Sequence, residues 1–118
     1  MTEIRINNIL KISTNKIYSS QSWHKRQDAK DQYLELTKDQ FSKLTPITKL
    51  VDLHFTFCFT KNAFDSSNCS YMAKMIEDCL VEYGVLRGDG IKHVGRVSFK
   101  STKNKNKEED YCILEILT

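Results

Sequence analysis

Residues 64–90 read FDSSNCSYMAKMIEDCLVEYGVLRGDG. Met72, Met75, Ile76, Cys79, Leu80 and Tyr83 recur at i, i+3, i+4, i+7, i+8 and i+11, the spacing of one buried face of an α-helix. The helix is expected over residues 68–83, with Ser67 or Asn68 as its N-cap and Gly84 as a left-handed stop. Lys74 and Asp78 lie four apart and off that stripe, so they share a more exposed side. Beyond the helix Val85 and Leu86 are expected to pack back, and Arg87-Gly88-Asp89-Gly90 to turn. The segment therefore opens on one turn acid, Asp65, and closes on another, Asp89.

The stretch before it is a strand. From Leu50 to Thr60, Val51, Leu53, Phe55, Phe57 and Phe59 alternate with Asp52, His54, Thr56, Cys58 and Thr60. Strict period two gives one apolar and one mostly polar face. The polar face is solvated, covered by another element, or functional. Ile4 to Ile12 reads as a first strand whose alternation slips at Asn7-Asn8, by a bulge or a turn. A polar connector, Ser13 to Ser22, follows, with Ser22 able to cap a helix starting near Trp23. That helix has a dense polar face and only a loose apolar stripe of Trp23, Ala29, Tyr33, Leu34 and Leu36; Pro46 stops whatever follows it.

After Gly90, residues 93–101 read as a strand through Val94, Val97 and Phe99, and 102–110, TKNKNKEED, as a polar, mobile hairpin loop. Tyr111 to Leu117 is apolar on both faces, so it is central or lies at a subunit contact. The order β-α-β-α-β-β predicts one α+β domain over residues 1–118, with helices packed on a mixed sheet.

Charge is unevenly placed. Residues 62–83 hold four acids (Asp65, Glu77, Asp78, Glu82) against one lysine, while ten basic residues face six acids before them and seven face five after them. Such an acidic island can hold a hard divalent cation, and its basic flanks can hold phosphates. Across 118 residues the net charge is +3, with 40% hydrophobic and 28% charged residues. This is an ordinary globular composition with a mild basic bias. None of the four cysteines forms a C-x-x-C pair, which argues against a zinc ribbon and for reduced, buried thiols in an intracellular protein. The opening MTEIRINNILKIS lacks a signal-peptide core, and no run approaches the ~20 apolar residues of a membrane span.

Three ordered blocks resemble the RusA family of Holliday-junction resolvases, in its phage-encoded branch. Ser13-Thr-Asn-Lys-Ile-Tyr18 followed by Trp23-His-Lys-Arg26 is similar to the family's S-x-N-x-x-Y…W-x-x-R pattern. Asp65-Ser-Ser-Asn68, leading into a helix with Lys74 and Asp78, is the second block. Gly84-Val-Leu-Arg-Gly-Asp89, similar to a G-(aliphatic)-(aliphatic)-x-D-D ending, is the third. Together they cover residues 4–97. Two positions differ from the family pattern: Ser67 and Gly88 stand where acids are usual, and a slipped alignment would equate Asp65 with the family's second aspartate.

The resemblance implies an intracellular homodimer, of phage or prophage type and nucleoid-associated, that cuts four-way DNA junctions in recombination or repair with Mg²⁺ or Mn²⁺. Asp65, Asp89 and Asn68 would be its metal ligands. Asp65, Asp89, Lys74 and Asp78 would be its catalytic residues, with Lys74 offsetting charge on the scissile phosphate. Lys25, Arg26, Lys30, Lys61 and Arg87, with Lys92 and Arg96, are candidates for backbone phosphates. Tyr18 and Trp23 could stack on open bases.

A helix over 68–83 is about 24 Å long, so Asp65 and Asp89 meet only if the segment after Gly84 doubles back or a second subunit contributes. The plain alternatives are a turn and cap role for Asp65 and Asn68, a turn role for Asp89, and a surface ion pair for Lys74 and Asp78. On function, the alternatives are a DNA-junction-binding module that lost a catalytic acid at Ser67, and a protein-interaction domain.

Overall fold

The computed structural model describes residues 1–19, 23–104 and 109–118, the first stretch without the side chains of Tyr18 and Ser19. Its elements are β1 (Thr2–Asn7), α1 (Thr14–Ser19), α2 (Trp23–Phe41), β2 (Val51–Phe59), a 3₁₀ turn (Ser66–Cys69), α3 (Ser70–Glu82), β3 (Val94–Lys103) and β4 (Tyr111–Leu117). This is an α+β domain on a mixed four-stranded sheet of order β1-β4-β2-β3. The expected stacking role of Tyr18 and the expected cap at Ser22 lie outside the described residues.

The alternation of β2 does what its period requires. Val51, Leu53, Phe55, Phe57 and Phe59 are all buried, whereas Asp52, His54 and Thr56 on the other face are half-buried. Phe55, Phe57 and Phe59 stand in a file, with ring centroids 6.1 and 6.5 Å apart. Beside them β4 pairs antiparallel, Phe55 opposite Leu114 and Phe57 opposite Cys112. β4 is central, as its two apolar faces predict, and β1 pairs with its other edge. β3 joins the free edge of β2 in parallel, which requires a crossover, and α3 supplies it.

Three expectations need correction. First, the polar stretch 102–110 does not close a hairpin: β2 lies between β3 and β4, so the two strands it joins are not neighbours, and residues 105–108 of it lie outside the described residues. Second, the first strand stops at Asn7, because Asn8 takes a left-handed backbone (φ 57°) that asparagine tolerates better than most residues. Third, the polar connector contains α1. Ser13 starts it, its carbonyl accepting the Ile17 N–H at 3.0 Å and its hydroxyl the Lys16 N–H at 3.3 Å, and Ile17 is buried.

α2 buries Ala29, Tyr33, Thr37 and Phe41, every fourth residue. Of the loose stripe read from Trp23, Ala29, Tyr33, Leu34 and Leu36, Ala29 and Tyr33 are buried, and the last core contact, Phe41, lies beyond it. Trp23 is 62% exposed, with its ring edge-on to His24 at 5.2 Å. Two tyrosine hydroxyls tie helices to backbone: Tyr33 donates to the Leu10 carbonyl and Tyr83 to that of Leu34, both at 2.5 Å. The stripe on α3 is as expected, with Met72, Met75, Ile76, Cys79 and Leu80 buried. All four cysteines are buried free thiols. Among the described residues no helix is long and apolar enough to cross a membrane.

Candidate functional site

The amphipathic packing of α3 turns one side of the helix away from the core. Lys74, in its second turn, is exposed, and Asp78, one turn later, is half-buried. The chain after the helix then reverses. Gly84 takes φ +74°, a left-handed conformation that side chains with a Cβ adopt only at a cost. Val85 and Leu86 follow, both buried, and their N–H groups both donate to the Leu80 carbonyl, at 2.9 and 3.1 Å. Ile47 N–H donates to the Val85 carbonyl at 2.8 Å, which fixes the return segment from its other side. The turn closes where the Gly90 carbonyl accepts N–H groups from His93 and Val94, at 2.9 and 3.0 Å.

This reversal delivers Asp89 to the exposed side of α3. Asp89 Oδ2 lies 2.5 Å from Lys74 Nζ, Asp78 Oδ1 3.1 Å and Glu77 Oε1 3.5 Å. Oxygens of Glu77, Asp78 and Asp89 all lie within 4.8 Å of one another. One ammonium thus faces three carboxylates. Partial burial pulls the Lys74 pKa down, but hydrogen bonds from Lys74 to Asp89 and Asp78 outweigh it and the net shift is upward. Asp89 is held below the usual carboxylate range, mainly by its hydrogen bond from Lys74. Glu77 moves the other way, because burial penalises its charged form more than Lys74 favours it.

The expected residues divide. Asp89, Lys74 and Asp78 come together, and the return segment doubles back along the helix as their meeting requires. Asp65 does not join them: among the described residues the three-carboxylate group contains Glu77, Asp78 and Asp89. Asp65 is exposed before the 3₁₀ turn, its carbonyl accepting the Asn68 N–H at 2.9 Å, and its side chain makes no cap. Nor do Ser67 or Asn68 cap α3. Thr14 does so from α1: its hydroxyl oxygen accepts the Tyr71 N–H at 2.8 Å and its O–H bonds the Asn68 carbonyl at 3.1 Å.

Glu77 is the member that sequence reasoning did not single out. Its signal was there, three residues after Lys74, a helical neighbour spacing. At Gly88, where the resembled pattern carries an acid, a Cβ would lie 3.2 Å from the His93 ring, close enough that the ring would shift by a few tenths of an ångström.

No family model matches the chain, and no curated protein does. The chemistry of the site therefore rests on its own donors. Three carboxylate oxygens without sulfur or imidazole form a hard set, suited to Mg²⁺ or Mn²⁺ rather than to zinc. Lys74 sets its ammonium among them, its side chain about half exposed. Of the basic candidates, Lys25, Lys61 and Arg87 are exposed and Arg26 and Lys30 half-buried.

Proposed function

We propose that the protein is a divalent-metal-dependent endonuclease that acts on branched DNA as a homodimer. One observation supports this above the others: the chain after α3 is turned back and pinned so that Asp89 joins Asp78, Glu77 and Lys74. Two of the turn and helix acids and the lysine expected from the resemblance thereby form one site. The donor set fits Mg²⁺ or Mn²⁺, which when bound would offset phosphate charge and activate water.

The chain's own residues have distinct tasks in this reading. Asp89, Asp78 and Glu77 supply oxygen donors. Lys74, released from the carboxylates, turns its ammonium to a phosphate oxygen. Lys25, Arg26, Lys30, Lys61 and Arg87 hold the DNA backbone without reading sequence, and exposed Trp23 offers a ring to an unpaired base. Asp65 and Asn68 enter the site only if the substrate or the second subunit draws the loop before α3 towards it.

The test is cleavage of a synthetic four-way junction with Mg²⁺ or Mn²⁺ against EDTA. Asp89→Asn should abolish cutting while sparing binding, and Lys25→Ala with Arg26→Ala should weaken binding and flatten its salt dependence. Loss of cutting in Asp65→Asn would add that residue to the site. A specific observation favours a second reading, a junction-binding module without cleavage: the Lys74 ammonium already stands where a cation would sit among the carboxylates. Tight, salt-sensitive junction binding with no cutting under any metal would select it.

A further inference from the structure

A cleft of about 660 Å³ lies between the chain leaving β1, the helices α1 and α2, and the loop after β2. Leu10, Ile12, Ile17 and Phe64 make its apolar wall, and its charged residues are Lys11, Lys16, Lys25 and Asp28. Its size lies in the range of ligand sites. Three lysines against one aspartate give the lining a charge of +2. No member of the Lys74 cluster lines the cleft, and among its lining residues Lys25 is the one shared with the proposed DNA contacts.

The wall is poorly suited to a nucleobase. Among the described residues its one aromatic ring is Phe64, which packs against Phe59 with centroids 5.2 Å apart and planes tilted by 52°. Lys11 Nζ lies 5.0 Å from the Phe64 centroid and is held there by donating to the Lys61 carbonyl at 2.7 Å. The ring is already engaged by neighbours, and the rest of the described apolar wall is aliphatic, so a base finds little flat aromatic surface there on which to stack. A branched or aromatic side chain needs no such surface. It gains by leaving water, and the lysines favour acids beside it in sequence.

We propose that this cleft is a docking site for an acidic peptide segment of a partner protein, which buries one large apolar side chain against Ile12, Ile17 and Phe64 and sets neighbouring carboxylates towards Lys16 and Lys25. The test uses the full chain and a fluorescent ten-residue peptide of aspartates around a single Leu-Phe pair, read by anisotropy. Replacing the pair with serines should weaken binding more than about tenfold, the worth of one buried large side chain. Lys16→Glu, on an exposed residue, should weaken it roughly threefold to tenfold at low salt, and added salt should reproduce the loss.

Amide correlation spectra should show peptide-induced shifts at Ile12, Ile17 and Lys25. Equal binding of the serine peptide, or shifts confined to another face, would overturn the proposal. So would a ten-nucleotide single strand that binds more tightly than the peptide and shifts these same residues, which would make nucleic acid the occupant.

Discussion

Replacing Lys74 with methionine keeps the stem of the side chain and removes the charge that faces Glu77, Asp78 and Asp89. Lys74 and Asp89 are each about half exposed, with side-chain accessibilities of 47% and 48%. Exposed ion pairs contribute about 0.2–1 kcal/mol each, so the Asp89 and Asp78 contacts together account for roughly 1 kcal/mol. Glu77, at 9% accessibility, would lose the nearest charge that offsets its burial, and this adds up to about 1 kcal/mol. A total of about 1–2 kcal/mol lowers the Tm of a domain of this size by roughly 4–8 °C.

The pH dependence has a defined sign. Asp89 is depressed in the folded state, so its stabilisation is complete above its ordinary pKa and is lost as pH falls through the lower folded value. Glu77 is raised, so its ionisation costs stability, and that cost disappears as pH falls below its ordinary range. Removing Lys74 cancels the first effect and enlarges the second. The gap in Tm between parent and variant should therefore be widest near neutral pH and close as pH falls from about 5 to about 3. Mg²⁺ at millimolar concentration should then raise the Tm of the variant more than that of the parent, because the freed carboxylates bind it in the folded state. Circular-dichroism melts across pH and Mg²⁺ measure both. A gap that stays constant down to pH 3, or a variant as stable as the parent at pH 7, would refute the account of the cluster.

Thr14→Val removes the hydroxyl that accepts the Tyr71 N–H and bonds the Asn68 carbonyl. It should cost about 1–2 kcal/mol in urea unfolding with an unchanged slope. Gly84→Ala meets no atom within 4 Å, so its cost should be backbone strain alone, about 1–2 kcal/mol. The same variant should leave the Lys74 contacts in place if Val85 and Leu86 hold the return segment. Asp89→Asn should lower stability by less than Lys74→Met, by about 0.5–1 kcal/mol, since Lys74 keeps two partners. Equal melts for these two variants would mean that Asp78 and Glu77 contribute nothing.

What was legible in the chain was what period and local chemistry determine. The file Val51 to Phe59 and the stripe Met72 to Leu80 announced their buried faces because each is regular over its whole length. Gly84 announced the reversal because its backbone conformation is one that glycine alone enters freely. α2 was read less well. Its buried residues keep a spacing of four, but one of them is a threonine, Thr37, whose hydroxyl is satisfied by donating to the Tyr33 carbonyl at 2.8 Å. A polar residue inside an apolar stripe breaks a pattern that counts only hydrophobicity. The cap on α3 could not be read from its own flank, because Thr14 lies 57 residues before the N–H it satisfies. The parallel placement of β3 against β2 likewise follows from the crossover of α3, whereas a polar run between two strands reads locally as a hairpin.

The cluster around Lys74 shows where local reading ends and tertiary constraint takes over. Glu77 and Asp78 are placed by helical spacing alone, three and four residues from the lysine, a geometry any exposed helix can offer. Asp89 is different, since fifteen residues separate it from Lys74 and no periodicity links them. Its position depends on two carbonyls, those of Leu80 and Gly90, each of which accepts two N–H groups, and on the burial of Val85 and Leu86 between them. Ordering this loop costs conformational entropy, which the burial of Val85 and Leu86 and the hydrogen bonds to Leu80 and Gly90 offset. The return segment is also the path from α3 to β3, so the crossover that a parallel β3 requires is what sets Asp89 beside Lys74.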